Sequence, residues 1–444
     1  MPEVLLTADQ AAGEQARVAG GCAGLRRGDR LVLTVPGCPR LVTAVMGALR
    51  VGIVPVVLDP ATPPTELHAL IDDADPALVI DSMAALDELH AHAPGELAPV
   101  PLGRPMHVTS GTTGRRKGVT SGVLEAPAAA ALWAEETQLW GFVGSDVHLV
   151  VSPLYHSAPL RFAIGTLLAG GTIVVPGRFN PAEFGDLAQR YRPTTMFTAP
   201  AQLQRLRELA DPRATAALRS FRLIAHAGAP CPEPVKRWLL DVVAPEAVWE
   251  FYGCTEGQFT ACSAADWLAH PGTVGRARPG RTLSTDPDGT IWCTVPAHAR
   301  FSYWRAPEKT AAAWRDTPQG PAFTVGDLGR LDAEGWLYLD GRREDLVITG
   351  GGGVNVYPVE VERVLEQCPG VQEVAVFGVD DDRWGQRVEA AVVGSSATAV
   401  HEWAQRHLVA AQRPKVVHTV DALPRTSTGK VLRSVLRQRR GPDC

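Results

Sequence analysis

Residues 109–118 read TSGTTGRRKG. Thr109, Ser110, Thr112 and Thr113 supply hydroxyls, Gly111, Gly114 and Gly118 free the backbone, and Arg115, Arg116 and Lys117 follow as three cations. Glycines let a backbone approach a ligand closely and expose its N–H donors. Hydroxyls add donors, and a lysine ammonium is a point charge for phosphate oxygens. This is the chemistry of a loop that wraps a polyphosphate. Lysine precedes glycine here, so the order is not the G-x-x-x-x-G-K-[ST] of a P-loop, and a simple nucleoside triphosphatase is not expected.

Four further stretches carry side chains with chemical uses. PLYHSAPLRF (153–162) holds His156 behind an aromatic and Arg161 five residues on. HAGAPCPEP (226–234) holds Gly228 and Ala229, and EFYGCTEGQ (250–258) holds Tyr252, Gly253, Thr255 and Glu256. FTVGD (323–327) ends on Asp327, GRREDLVITGGGG (341–353) contains Arg342 and Glu344, and PRTSTGK (424–430) ends on Lys430. Taken singly, each has an ordinary explanation. His156 reads as a satisfied core histidine, Y-G-x-T-E as any strand-to-turn segment, and Lys430 as a solvated surface charge.

Taken in order, the stretches resemble the adenylate-forming superfamily of acyl-CoA synthetases, peptide-synthetase adenylation domains and luciferases. The texture is nearest to AMP-forming fatty-acid or bile-acid-type acyl-CoA ligases, and the resemblance runs from about residue 28 to 437. It implies that Thr109, Ser110, Gly111, Thr112, Thr113, Gly114 and Lys117 hold the ATP phosphates. His156 would border the acyl pocket and the thiol tunnel. Gly228 and Ala229 would form the adenine-side loop, with Tyr252 and Gly253 against the adenine face. Thr255 would donate to phosphate and Glu256 would hold Mg2+, a hard cation that prefers carboxylate oxygen. Asp327 would accept from both ribose hydroxyls, Arg342 would contact the nucleotide, Glu344 would mark the pivot, and Lys430 would be the catalytic lysine of adenylation. Arg116 stands where relatives carry proline, and the four glycines 350–353 form a longer strip than the usual pair.

These residues need a scaffold. RLVLTV (30–35), VPVVLDP (54–60), PALVIDS (76–82), HLVVS (148–152), TIVVP (172–176), TTMFT (194–198) and FRLIAH (221–226) read as strands. Helical stretches alternate with them at 41–52, 64–74, 123–140, 162–171, 181–191, 201–210 and 232–243. Such alternation predicts layered α/β subdomains with parallel sheets. GTIWCTV (289–295) and GWLYLDG (335–341) sit between turns and predict a β-rich subdomain. The Ala/Pro-rich stretch 91–105 reads as a surface connection. Beyond 341–353, helix, two strands, a helix over 401–412 and a last strand make a small α+β unit. We therefore expect an ATP- and acid-binding domain over 1–341 and a mobile C-terminal domain over 342–444 that carries Lys430.

The chain has 444 residues, 45% of them apolar and 20% charged, with a net charge of -5. That gives no basic footprint for nucleic acid. Its eight cysteines include no C-x-x-C pair and no zinc spacing, which suits a reduced, cytoplasmic protein. No signal peptide and no membrane span are expected.

The resemblance implies an ATP- and Mg2+-dependent ligase that adenylates an acid and passes the acyl group to CoA. Two other acceptors stay open: a carrier-protein thiol, or an aryl amine diazotised after adenylation of nitrite. A degenerate nucleotide-binding protein is the non-enzymatic alternative. Residues near His156, Arg161, His226, Cys254 and Gln258 are expected to line the acid pocket.

Overall fold

Short aliphatic strands, buried on both faces, set the architecture of the larger part of the chain. The computed structural model describes residues 4–109, 117–349, 354–381, 385–426 and 429–438. By its internal packing the chain divides into two compact units. The first is Met1–Pro271 with Gly275–Thr282 and Cys293–Phe323. The second is Gly272–Val274, Leu283–Trp292 and Thr324–Cys444.

An eight-stranded sheet runs through the first unit. Its strands lie in the order Leu5–Thr7, Thr172–Val174, Val147–Val150, Thr195–Thr198, Leu223–His226, Val248–Glu250, Thr260–Ser263 and Arg276–Ala277. The inner pairs are parallel and the outermost pairs antiparallel. Parallel pairing requires crossovers, and helices supply them, as Ser157–Leu168 does between Val147–Val150 and Thr172–Val174. Helices cover both faces of such a sheet, so its strands read as continuous apolar runs. Leu149, Ile173, Val174, Met196 and Ile224 are all completely buried.

A second parallel sheet places Arg30–Leu33 between Val54–Val57 and Leu78–Ile80. A third, antiparallel, has the order Ser302–Tyr303, Lys117–Thr120, His107–Thr109. Gly118 leaves little room for a larger residue there. A Cβ on it would stand 2.8 Å from Met106 Sδ and 3.1 Å from Trp304 Cβ.

The second unit contains the antiparallel hairpin Asp327–Leu331 with Leu337–Arg342. It also contains a three-stranded sheet of Glu373–Asp381, Gly385–Val393 and Val416–Thr419. Helices Pro358–Leu365 and Ala397–His407 pack Val361, Leu365, Val400 and Ala404 against Val376, Ala390 and Val392 of that sheet.

The mixed α/β layers and smaller α+β unit match the sequence reading, with local departures. The N-terminus adds a strand, Leu5–Thr7, and a helix, Ala8–Gly21, that hydrophobic patterning did not indicate. A short helix, Met83–Leu89, precedes the Ala/Pro-rich stretch, and within that stretch Pro101 to Gly103 are buried. The helix expected at 401–412 instead spans Ala397–His407. It starts early because the Ser396 hydroxyl caps it, accepting from the Ala399 N–H at 3.2 Å.

Candidate active site

The phosphate-loop candidate begins and ends on a hairpin. Thr109 and Lys117 are register partners, and the Thr109 hydroxyl donates to the Lys117 carbonyl at 3.2 Å. The ladder therefore fixes the two ends of the loop side by side. Ser110, Gly111, Thr112, Thr113 and Gly114 lie outside the described residues, as do the glycines 350–353.

The segment after strand Val248–Glu250 folds back on itself. The Cys254 N–H donates to the Gly257 carbonyl at 2.9 Å, and Gly253 bridges to Gln258. A Cβ on Gly253 would meet Gln258 Cα at 2.8 Å and the Gly257 carbonyl at 2.9 Å, so only glycine allows this closure. The turn carries Thr255 and Glu256 at its tip. The Tyr252 N–H donates to the Thr260 hydroxyl, and its ring packs 4.8 Å from Phe259. Gly228 has φ +94° just beyond strand Leu223–His226, and it leaves the adjoining Ala229 partly exposed.

Glu256 is 8% exposed, and its Oε1 accepts from the Tyr303 phenol at 2.8 Å. Tyr303 pairs with Val119, two residues from Lys117 on the same small sheet. One sheet therefore positions the lysine after the loop and the donor that orients Glu256. Nothing in the surrounding sequence HARFSYW singles out Tyr303.

His156 precedes the helix Ser157–Leu168, with its ring 4.5 Å from Tyr155. Its Nε2 is buried without a hydrogen-bond partner, and burial holds the ring down at about 4, so it is neutral. His107 donates through Nδ1–H to the Tyr155 carbonyl, 3.1 Å away, and burial also holds it at about 4. His226 is fully buried, with both ring nitrogens unpartnered and its pKa held by burial at about 4.

A small cavity of about 20 Å3 adjoins the Glu256 turn through Gly257 and Gln258. Of the residues expected to line the acid pocket, Arg161 and Gln258 line this cavity; His156, His226 and Cys254 are not among its lining residues. Its other polar walls, Arg104, Glu136, Arg278 and Arg281, were not anticipated. Glu136 receives Arg278 Nη1 at 2.8 Å, and its Oε2 lies 3.3 Å from Arg161 Nε. These guanidinium groups hold the carboxyl at about 2 against the opposing effect of its burial. One signal could have revealed Glu136. It occupies the apolar face of helix Ala126–Trp140, in step with the buried Ala129, Leu132, Trp133 and Trp140.

In the second unit, Asp327 and Arg342 are register partners, with Arg342 Nε 3.1 Å from Asp327 Oδ1. Arg342 precedes the short 3-10 turn Arg343–Asp345, which contains Glu344. Lys430 is hydrogen-bonded back to Thr426. Its N–H donates to the Thr426 hydroxyl at 3.1 Å, and its carbonyl accepts from the Thr426 N–H at 2.8 Å. Gly429 takes φ +85° there, and Arg425 Nη1 donates to its carbonyl at 2.6 Å.

The family described as AMP-binding enzyme matches residues 6–101 and 106–292, and its C-terminal domain matches 360–430. Feruloyl-CoA synthase of an Amycolatopsis species is 31% identical over 96% of this chain and 92% of its own length. The long-chain-fatty-acid–CoA ligase FadD13 of Mycobacterium tuberculosis is 30% identical over 94% and 89%. Among solved structures, ATP-bound MatB from Rhodopseudomonas palustris superposes with a TM-score of 0.85 at 31% identity, covering 97% of this chain and 92% of that one. o-Succinylbenzoate CoA synthetase (MenE) from Bacillus subtilis, with its acyl-adenylate intermediate, gives 0.82 at 25% identity over 97% and 93%. With two family models spanning most of its length, the chain belongs to the AMP-binding enzyme family.

Proposed function

We propose that the protein is an ATP-dependent, AMP-forming acid–CoA ligase. The observation that carries this reading is the linkage of two motifs by one small sheet. Lys117 and Tyr303 share that sheet, and Tyr303 holds the Glu256 carboxylate. Relatives named as feruloyl-CoA synthase and long-chain-fatty-acid–CoA ligase support the choice of reaction.

In the first step a carboxylate oxygen of the acid attacks the α-phosphorus of ATP. The bond to the bridging oxygen breaks and pyrophosphate leaves. In the second, the CoA sulfur attacks the acyl carbon, a thioester forms and AMP leaves. Neither step needs a covalent link to the protein, which contributes position and charge. Thr109, Ser110, Gly111, Thr112, Thr113, Gly114 and Lys117 would hold the departing phosphates, and Thr255 would donate to the α-phosphate. Gly228, Ala229, Tyr252 and Gly253 would frame the adenine. Asp327 would accept from the ribose hydroxyls, with Arg342 beside it. Lys430 would bridge the carboxylate and the α-phosphate, and His156 would border the path of the thiol.

Glu256 fits a Mg2+ site: it is a nearly buried carboxylate whose orientation is set by a neutral phenol. Among the described residues no cluster of three acidic, His or Cys side chains could hold a metal. A site made from one carboxylate, substrate phosphates and water is the usual arrangement for Mg2+. When bound, the ion would neutralise charge on the leaving pyrophosphate.

Residues 342–444 would act as the mobile domain, swinging about 342–345 between the two steps so that Lys430 withdraws before the thiol enters. Among the described residues no helix is long and apolar enough to cross a membrane. We place the enzyme in the cytoplasm, where ATP and CoA are available and its free cysteines stay reduced.

The test is acid-dependent pyrophosphate release with and without CoA. Acid-dependent pyrophosphate release, with added CoA converting the acyl-AMP to thioester plus AMP, supports the reading. Transfer only to a carrier-protein thiol, or nitrite-dependent release indifferent to CoA, would replace it, and nucleotide binding without turnover would remove the enzyme altogether.

A further inference from the structure

The cavity beside Gln258 has an unusual charge balance. Arg104, Arg161, Arg278 and Arg281 reach it, while among the described residues only Glu135 and Glu136 oppose them. Arg281 is committed to Glu135 at 2.7 Å, and His298 shares that carboxylate. Glu136 is left to serve both Arg278 and Arg161. Two positive charges remain without a counter-ion in a site where Arg278, Arg281 and Glu136 side chains are 3–6% exposed. Arg161 Nε and Arg278 Nε are buried with no hydrogen-bond partner. A structural ion-pair network would match its charges, because an unpaired buried ion is strongly destabilising. The Arg104 guanidinium is held down at about 10, by burial first and then by the Arg161 charge.

Resting on the ligase reading above, we propose that this cavity seats a second, non-reacting carboxylate of the acid, making the substrate a short dicarboxylic acid. Size limits the choice. The cavity, about 20 Å3, is little larger than one water needs, so it receives one oxygen of the carboxylate end-on. It has no room for an aromatic ring or a long alkyl chain, and Leu132, Trp133 and Phe323 wall it in. Charge limits it further. The reacting carboxylate becomes neutral at its acyl end when the mixed anhydride forms. Seating that group among buried arginines would stabilise the ground state more than the product. A spectator carboxylate keeps its charge throughout, so its attraction is constant along the reaction. Arg161 is the specificity-determining residue, since its 3.3 Å contact with Glu136 is looser than the 2.8 Å contact of Arg278. The position is also apt, because Gln258 lies two residues past Glu256 and receives Arg161 Nη2 at 3.4 Å and Arg278 Nη1 at 3.2 Å.

The experiment compares malonate and succinate with propionate, butyrate, octanoate, benzoate and nitrite in pyrophosphate release by the full chain. A dicarboxylate should exceed the monocarboxylate of equal length by about 100-fold in kcat/KM. Arg161→Gln should erase most of that ratio, and Arg161→Lys should restore it to within about 10-fold. Arg104→Gln serves as a second variant if Arg161→Gln melts early. Preference for octanoate, benzoate or nitrite, or an unchanged ratio in Arg161→Gln, overturns the proposal. Calorimetric titration of malonate in the presence of AMP separates this inference from the ligase reading. Malonate bound by the wild type and lost in Arg161→Gln, without pyrophosphate release, upholds the pocket and sinks the ligase reading. Absence of malonate binding sinks the pocket alone if monocarboxylates still turn over.

Discussion

The Tyr303 phenol donates to Glu256 Oε1 at 2.8 Å from a strand register-paired with the one that bears Lys117. A hydrogen bond to a charged group is worth about 1.5–3 kcal/mol. Tyr303→Phe removes it while keeping the buried ring. Half-saturation by Mg2+ in pyrophosphate release should rise about 10-fold, and the Mg2+-free protein should lose about 1–3 kcal/mol of stability. An unaltered Mg2+ titration would separate Tyr303 from Glu256 function.

Lys430→Ala tests the division of labour between the two half-reactions. Acid-dependent pyrophosphate release should fall by about 100-fold or more, as expected for removal of a charge acting in a water-excluded site. Thioester formation from supplied acyl-AMP and CoA should fall by less than about 10-fold. Equal losses in the two assays would refute the assignment of Lys430 to adenylation.

Much of this arrangement was legible in the sequence. Strands such as HLVVS and FRLIAH are continuous aliphatic runs, and burial on both faces is what such runs encode. The Gly253 turn was legible because glycine and small polar residues specify backbone geometry locally. The arginine-lined cavity was not. Arg104, Arg278 and Arg281 are scattered over more than 170 positions, and an isolated arginine reads as a solvated charge. Only the fold makes them neighbours. The helix Ala8–Gly21 was obscured by its small, partly polar inner face of Ala11, Gln15, Val18 and Ala19. Its start was nevertheless encoded, since Thr7 and Gln10 form a reciprocal capping box.

Glu136 links the cavity to stability. Its folded pKa of about 2 lies below the ordinary glutamate value. Its contribution is therefore complete above the unfolded value of about 4.3 and is lost as pH falls toward 2. Glu136→Gln leaves Arg161 and Arg278 without their carboxylate and should lower stability by about 3–5 kcal/mol at pH 7. The deficit should narrow as the pH falls from 5 to 2. Denaturant melts of both proteins across that range measure it, and a pH-independent difference would count against the charge pairing.

Buried histidines set a separate acid limit. His107, His156 and His226 are held at about 4 and His148 at about 3, chiefly by burial. Each stays neutral when folded but takes up a proton on unfolding below about 6.5. The unfolded state therefore binds more protons, and stability declines as pH drops from 6.5 toward 4. Each ring costs up to about 1.4 kcal/mol per pH unit in that window. His148 gives the cleanest test: its Nδ1 lies 3.0 Å from the Thr195 hydroxyl, in the inner strand Val147–Val150. His148→Gln keeps a polar partner for Thr195 and removes one titration. The fall in melting temperature between pH 6.5 and 4.5 should be shallower than in the wild type, with pyrophosphate release at pH 7.5 retained. A parallel fall in the two proteins would show that His148 does not take up a proton on unfolding in this range.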